Sequence, residues 1–152
     1  MAHTLRLTAP NLIETLRFSA IFAAFIVVSA ENAFADPCEG ELPSVAGVVF
    51  SGTVRHVIDG DGWCVGQSGD PSTWIEVRSS DFDAAELRTA EGRRGKAIAE
   101  RVLLGRQMRC RSSTGRDGHT VVTYDRVLAV CSVDGRRVAD VLRDAGVPEG
   151  GN

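Results

Sequence analysis

The sequence predicts an α+β domain: a small five-stranded β-barrel with two helices packed on it. Three observations carry the prediction. Short β-branched segments separated by turn sequences fill the first half of the exported part of the chain. One helical stretch interrupts them, and a second closes the chain. The residues left after an N-terminal leader suffice for one compact domain and are too few for two. Strands arranged this way suggest a Greek-key barrel of OB-like shape.

The leader comes first. Arg6 and Arg17 precede a 13-residue apolar run, Phe18–Ala30, and the leader finishes in Ala33-Phe34-Ala35. Positive charge, a short greasy core and an A-x-A ending are the parts of a secretory signal peptide, with cleavage expected between Ala35 and Asp36. The run is too short for a spanning helix, so no membrane association is expected after its removal. The expected organisation is therefore a leader over 1–35, a lead-in over 36–47 tethered by a disulfide, the barrel domain over 48–148 and a tail over 149–152. A secreted or periplasmic monomer is expected.

Val48–Val57 reads as the first strand and stops at Asp59-Gly60-Asp61-Gly62, a turn sequence. Trp63–Val65 and Trp74–Ser79 follow as strands, with the loop GQSGDPS between them. Over Ala90–Leu104 the apolar spacing becomes helical: Ile98 with Val102 and Ala99 with Leu103 form adjacent rows, and Gly105 suits the exit. Gly92 and Gly95 blur where this helix starts. Met108–Ser112 and Thr120–Tyr124 read as a hairpin turning at Asp117-Gly118. Val127–Val133 is strongly β and stops at Asp134-Gly135. Arg136–Ala145 forms the last helix, with Val138, Val141 and Leu142 inward and Gly146 past its end.

All four cysteines, Cys38, Cys64, Cys110 and Cys131, follow the leader. An even count in an exported domain argues for two disulfides. Zinc has little support, because no pair has C-x-x-C spacing and no histidine lies near two of them. Of the three possible pairings, Cys38 with Cys64 and Cys110 with Cys131 is favoured, since the last two fall on strands expected to be neighbours.

The net charge of −3 hides a strong division. Arg88–Arg116 holds nine basic residues against Glu91 and Glu100, while the remainder of the exported chain is acidic. Such a split suits one face for polyanions and another that gathers carboxylates, although taken alone the basic run is better explained as a solvated helix face.

The acidic groups fall at two chain reversals. Asp59 and Asp61 flank a glycine, and Asp81, Asp83 and Glu86 crowd the end of the strand that carries Arg78. Asp59 is explained by turn chemistry alone. Two abutting turns would supply the oxygen ligands that a hard cation requires, but nothing here resembles an EF-hand loop. Arg78 and Arg126 are isolated arginines set among apolar residues. Each is either paired with a carboxylate or placed to receive an anion. His56 and His119 read as surface or hydrogen-bonded histidines.

Taken together, HVIDGDGWCV, VRSSDFDAAE and TYDRVLAVCSVDGRRVADVLRDAGV resemble, in order and separation, the three signature blocks of the staphylococcal-nuclease-like (thermonuclease) domain family. The resemblance spans Val48 to about Val147. It implies Asp61 and Asp83 as ligands of Ca²⁺, with the main-chain carbonyl of Ala84 as a further one. It implies Arg78, Arg126 and Glu86 as catalytic residues, and Asp59 and Tyr124 as supporting ones. The implied activity is hydrolysis of phosphodiester bonds in DNA, RNA or both. The chain returns after its strand, so Asp83 and Glu86 would face the phosphate held by Arg78, leaving Asp81 outward and solvated.

The chain departs from the family pattern at three places. Gly62 stands for a threonine, Ala85 for a proline and Asp125 for a glycine, and Asp125 would be positioned to compete for Arg126. These departures keep open the alternative of a nuclease-like OB module that binds nucleic acid or a protein without cutting.

Overall fold

The computed structural model describes residues 37–150. The leader and its cleavage site lie outside the described residues. Seven strands and two helices follow in the order β1 (Val49–Val57), β2 (Gly62–Gly66), β3 (Ile75–Ser79), α1 (Ala90–Leu103), β4 (Gln107–Ser112), β5 (Val122–Thr123), β6 (Arg126–Val133), β7 (Arg136–Arg137) and α2 (Val138–Ala145). Strands β1, β2, β3, β6 and β4 close on themselves into a five-stranded mixed barrel. Its pairings are antiparallel except at the seam, where β3 runs parallel to β6 with Val77 opposite Val127 and Arg78 opposite Leu128.

The barrel interior is filled by alternate residues of each strand, as a pleated strand requires. Trp63, Val65, Val77, Val127, Ala129, Cys131 and Val133 are all nearly inaccessible. In β1 the inward residues are Val54 and Val57, three apart rather than two. A register shift between Val54 and His56 inserts the extra residue, which bends the strand and restores the alternation. Ala99 and Leu103 of α1, with Val138, Ala139 and Leu142 of α2, complete the core.

Helix α1 begins where Thr89 accepts the Gly92 N–H on its hydroxyl, at 2.9 Å. The two glycines that obscure this start in the sequence lie on its buried face. A side chain at Gly92 would collide with the Glu86 carbonyl, so the glycine is what lets the helix lie against the loop before it. Helix α2 ends at Gly146, whose φ of 79° is the left-handed cap conformation.

The expected hairpin between Met108–Ser112 and Thr120–Tyr124 does not form. Strand β4 pairs directly with β6, placing Cys110 opposite Cys131. Only Val122 and Thr123 extend as β5, and they pair with β6 across the tight turn Tyr124-Asp125. Residues 115–120 close into a loop instead: Asp117 accepts the His119 and Thr120 amides at 3.0 and 2.9 Å. The Thr120 hydroxyl and then these amides hold the Asp117 carboxyl down at about 2, and the amides are lost to any ladder.

Both disulfides have the favoured pairing, Cys38–Cys64 and Cys110–Cys131. They are the bonds of a chain that folds under oxidising conditions. The second lies inside the barrel. The first lies outside it: Cys64 is fully buried although its side chain faces away from the core that Trp63 and Val65 fill. It fastens the lead-in to β2, and the Gly40 N–H donates to the Trp74 carbonyl at 2.8 Å just before β3. No helix among the described residues is long and apolar enough to cross a membrane.

Candidate functional site

Strands β1 and β2 meet in a reversal at 58–61, tied by the Ile58 N–H to the Gly62 carbonyl at 2.9 Å. Inside it, the Asp59 carboxylate accepts the Asp61 N–H at 3.0 Å. A side chain at Gly62 would meet that carboxylate at 2.9 Å, so the glycine leaves room for Asp59 to fold over the turn. The turn aims Asp61 inward, where it is 2% exposed.

Asp61 Oδ2 accepts the Ala84 N–H at 2.6 Å, and Oδ1 stands 3.3 Å from Arg78 Nη1. Burial and then the Asp59 charge push its carboxyl up to about 7, outweighing the Ala84 N–H and Arg78. A buried carboxylate in this state is short of positive charge.

Arg78 leaves β3 on its outer face. One residue further on the strand ends, and the chain folds back so that Asp83 ion-pairs with Arg78 Nη2. The parity problem of an arginine and an aspartate five residues apart is thereby solved: alternation holds along β3 and stops with it. One guanidinium thus lies between Asp61 and Asp83, the two carboxylates expected to share a cation.

The loop bearing Asp83 is braced from the far end of the chain. Asp81 accepts from Arg137 Nη2 at 2.6 Å and from Ser79 Oγ at 3.0 Å, with its side chain 16% exposed. This corrects the expectation that Asp81 is outward and solvated. Arg143 of α2 donates to the Asp81 carbonyl at 3.1 Å and lies over the Phe82 ring. It also binds Glu149, which holds its pKa above the ordinary value. Beyond the helix, the Ala85 N–H donates to Pro148 O and the Gly150 N–H to Asp83 O, at 2.9 and 2.8 Å. Residues 149 and 150, expected as a tail beyond the domain, therefore pair with the site loop. Ala84 meets Asp61 through its amide N–H, whereas the resemblance assigns its carbonyl to the ion; that carbonyl packs against Gly150.

Arg126 opens β6, beside β3 across the parallel seam. Its Nη1 is 4.0 Å from Asp59 Oδ2 and its Nε 3.8 Å from Glu76 Oε1. Asp125, the expected competitor, is exposed in the turn, and the ion pairs of Arg126 run to Asp59 and Glu76 instead. Tyr124, 91% exposed with a φ of 57°, stands at the rim.

Arg78, Asp83, Tyr124 and Arg126 line one open cleft of about 1010 Å³, with the 114–117 loop on its other side. Asp61 and Asp59 lie behind it, each bound to one of the arginines. Glu86 does not line the cleft: it is exposed, and its carboxylate has no hydrogen bond or ion pair among the described residues. Its carbonyl serves instead as a backbone acceptor for Thr89 at the head of α1.

Three residues that shape the site went unseen in the sequence: Glu76, Arg137 and Arg143. Only Glu76 carried a signal, having the same strand parity as Arg78. No group of three or more His, Cys, Asp or Glu side chains is arranged to hold a metal ion among the described residues. The donor set of Asp61 and Asp83 is nonetheless that of a hard cation, all oxygen, with one member buried and short of positive charge. The chain matches no protein-family model and no curated protein.

Proposed function

We propose that this chain is an exported calcium-dependent nuclease that hydrolyses phosphodiester bonds of DNA, RNA or both, as its signature blocks imply. The observation that carries the reading is the meeting of Arg78 and Arg126. They are brought to one cleft by the barrel seam, and each is anchored to the same acidic turn. Two guanidinium groups over an open cleft suit an anion whose oxygens gain charge as a diester is attacked. Calcium held by Asp61 and Asp83 would supply Lewis-acid charge at the phosphate. The resemblance assigns the general base, or the positioner of the attacking water, to Glu86, an exposed carboxylate three residues after Asp83 and outside the cleft lining. The two disulfides agree with export, and the leader supplies the route.

One observation favours the alternative of a binding module. Arg78 occupies both carboxylates proposed for the cation, and no third acidic side chain completes a metal group among the described residues. A chain with the leader removed, incubated with plasmid or RNA in calcium or in chelator, separates the two. Chelator-sensitive breakdown that disappears in Glu86→Gln supports the nuclease. Intact nucleic acid with retarded migration supports the module.

A further inference from the structure

Glu76 is 3% exposed, yet it lies on the outer face of β3, two residues before Arg78 and on the same side. Cys64 stands directly opposite it in the antiparallel β2–β3 register, so the Cys38–Cys64 disulfide shares that face. A carboxylate enclosed in this way requires charge or hydrogen-bond compensation. Arg126 contributes some of it, with Nε 3.8 Å from Glu76 Oε1, while Nη1 lies toward Asp59.

We propose that Glu76 is a positioning residue, which fixes the Arg126 guanidinium from behind so that it presents one orientation to a phosphate in the cleft. The proposal rests on the nuclease reading and adds a residue to it. The two arginines are held differently. Arg78 is anchored by Asp61 and Asp83, the carboxylates a cation would claim, whereas Glu76 belongs to neither that pair nor the cleft lining. Its hold on Arg126 is thus independent of the ion. A guanidinium without it samples several rotamers of a long side chain, and transition-state contacts that depend on orientation suffer more than ground-state attraction.

The test is Glu76→Gln, which keeps the shape and removes the charge. In calcium, kcat on a single-stranded oligonucleotide should fall about 10- to 100-fold, with KM changed less than about threefold. In an Arg126→Ala background the same change should have no further effect on kcat, a non-additivity that a merely structural role would not produce. If Glu76→Gln fails to fold, Glu76→Asp, which retains the charge and withdraws the carboxylate, is put through the same cycle. Cleavage within twofold of wild type, or losses that multiply independently with Arg126→Ala, overturns the proposal. A second arm needs no activity: the Arg126 Nε–H resonance should exchange with water at least tenfold faster in the variant. If wild type cuts nothing, the nuclease reading has failed, and an unchanged exchange rate would separately refute the hold of Glu76 on Arg126.

Discussion

Replacing Asp61 by asparagine should remove a pH dependence of stability that the wild type shows without divalent cations. The carboxyl rises from its ordinary 3.8 to about 7 on folding because burial and the Asp59 charge oppose its ionisation. With the folded value above the unfolded one, the contribution to stability is complete below about pH 4 and is lost as pH rises through 7. The full difference corresponds to about 4 kcal/mol at 1.36 kcal/mol per pH unit. Relaxation and water entry around a buried charge reduce its cost, so about 2 to 4 kcal/mol is the range expected in practice. Urea unfolding in chelator, followed by the fluorescence of Trp63 and Trp74, should give a wild-type stability that declines relative to Asp61→Asn between pH 4.5 and 7.5. The variant retains every histidine and all other carboxylates, so the difference between the two curves isolates Asp61. Millimolar calcium at pH 7.5 should return the lost stability to wild type and leave the variant unchanged. Parallel curves for the two proteins would refute the reasoning, since no titration specific to Asp61 would then exist.

Two further outcomes follow from the architecture. Replacing Cys38 and Cys64 together by serine opens a loop of sequence separation 26 and should cost about 3 to 4 kcal/mol, read as a lower urea midpoint with an intact barrel signature in circular dichroism. Thr89→Ala removes the hydroxyl that accepts the Gly92 N–H and should cost about 1 kcal/mol in the same assay, with cleavage reduced no more than the folded fraction.

The barrel was legible because its strands are short, β-branched and punctuated by Asp-Gly turns. The disulfide pairing followed from the neighbouring strands of Cys110 and Cys131. The failed hairpin shows where local reading stops. Thr120–Tyr124 has the composition of a strand, but the Asp117 carboxylate captures the amides of 119 and 120, and β4 finds a longer partner in β6. The bulge in β1 was equally invisible, since the spacing of three between Val54 and Val57 is a helical one and breaks the strand period. At the site, Arg78, Arg126, Asp61 and Asp83 were readable as isolated charges at strand ends. Glu76, Arg137 and Arg143 were not, because their partners are 50 or more residues away: Arg126 for the first, Asp81 for the other two.

The parallel pairing of β3 with β6 joins strands about 50 residues apart, so it must wait until β6 has been made. Until that closure, Arg126 has neither Glu76 nor Asp59 to grip, and the acidic turn has only Arg78. The meeting of the two arginines with their anchoring carboxylates is therefore a late event in folding. The cleft between the two guanidinium groups is thus complete only when the cylinder is sealed.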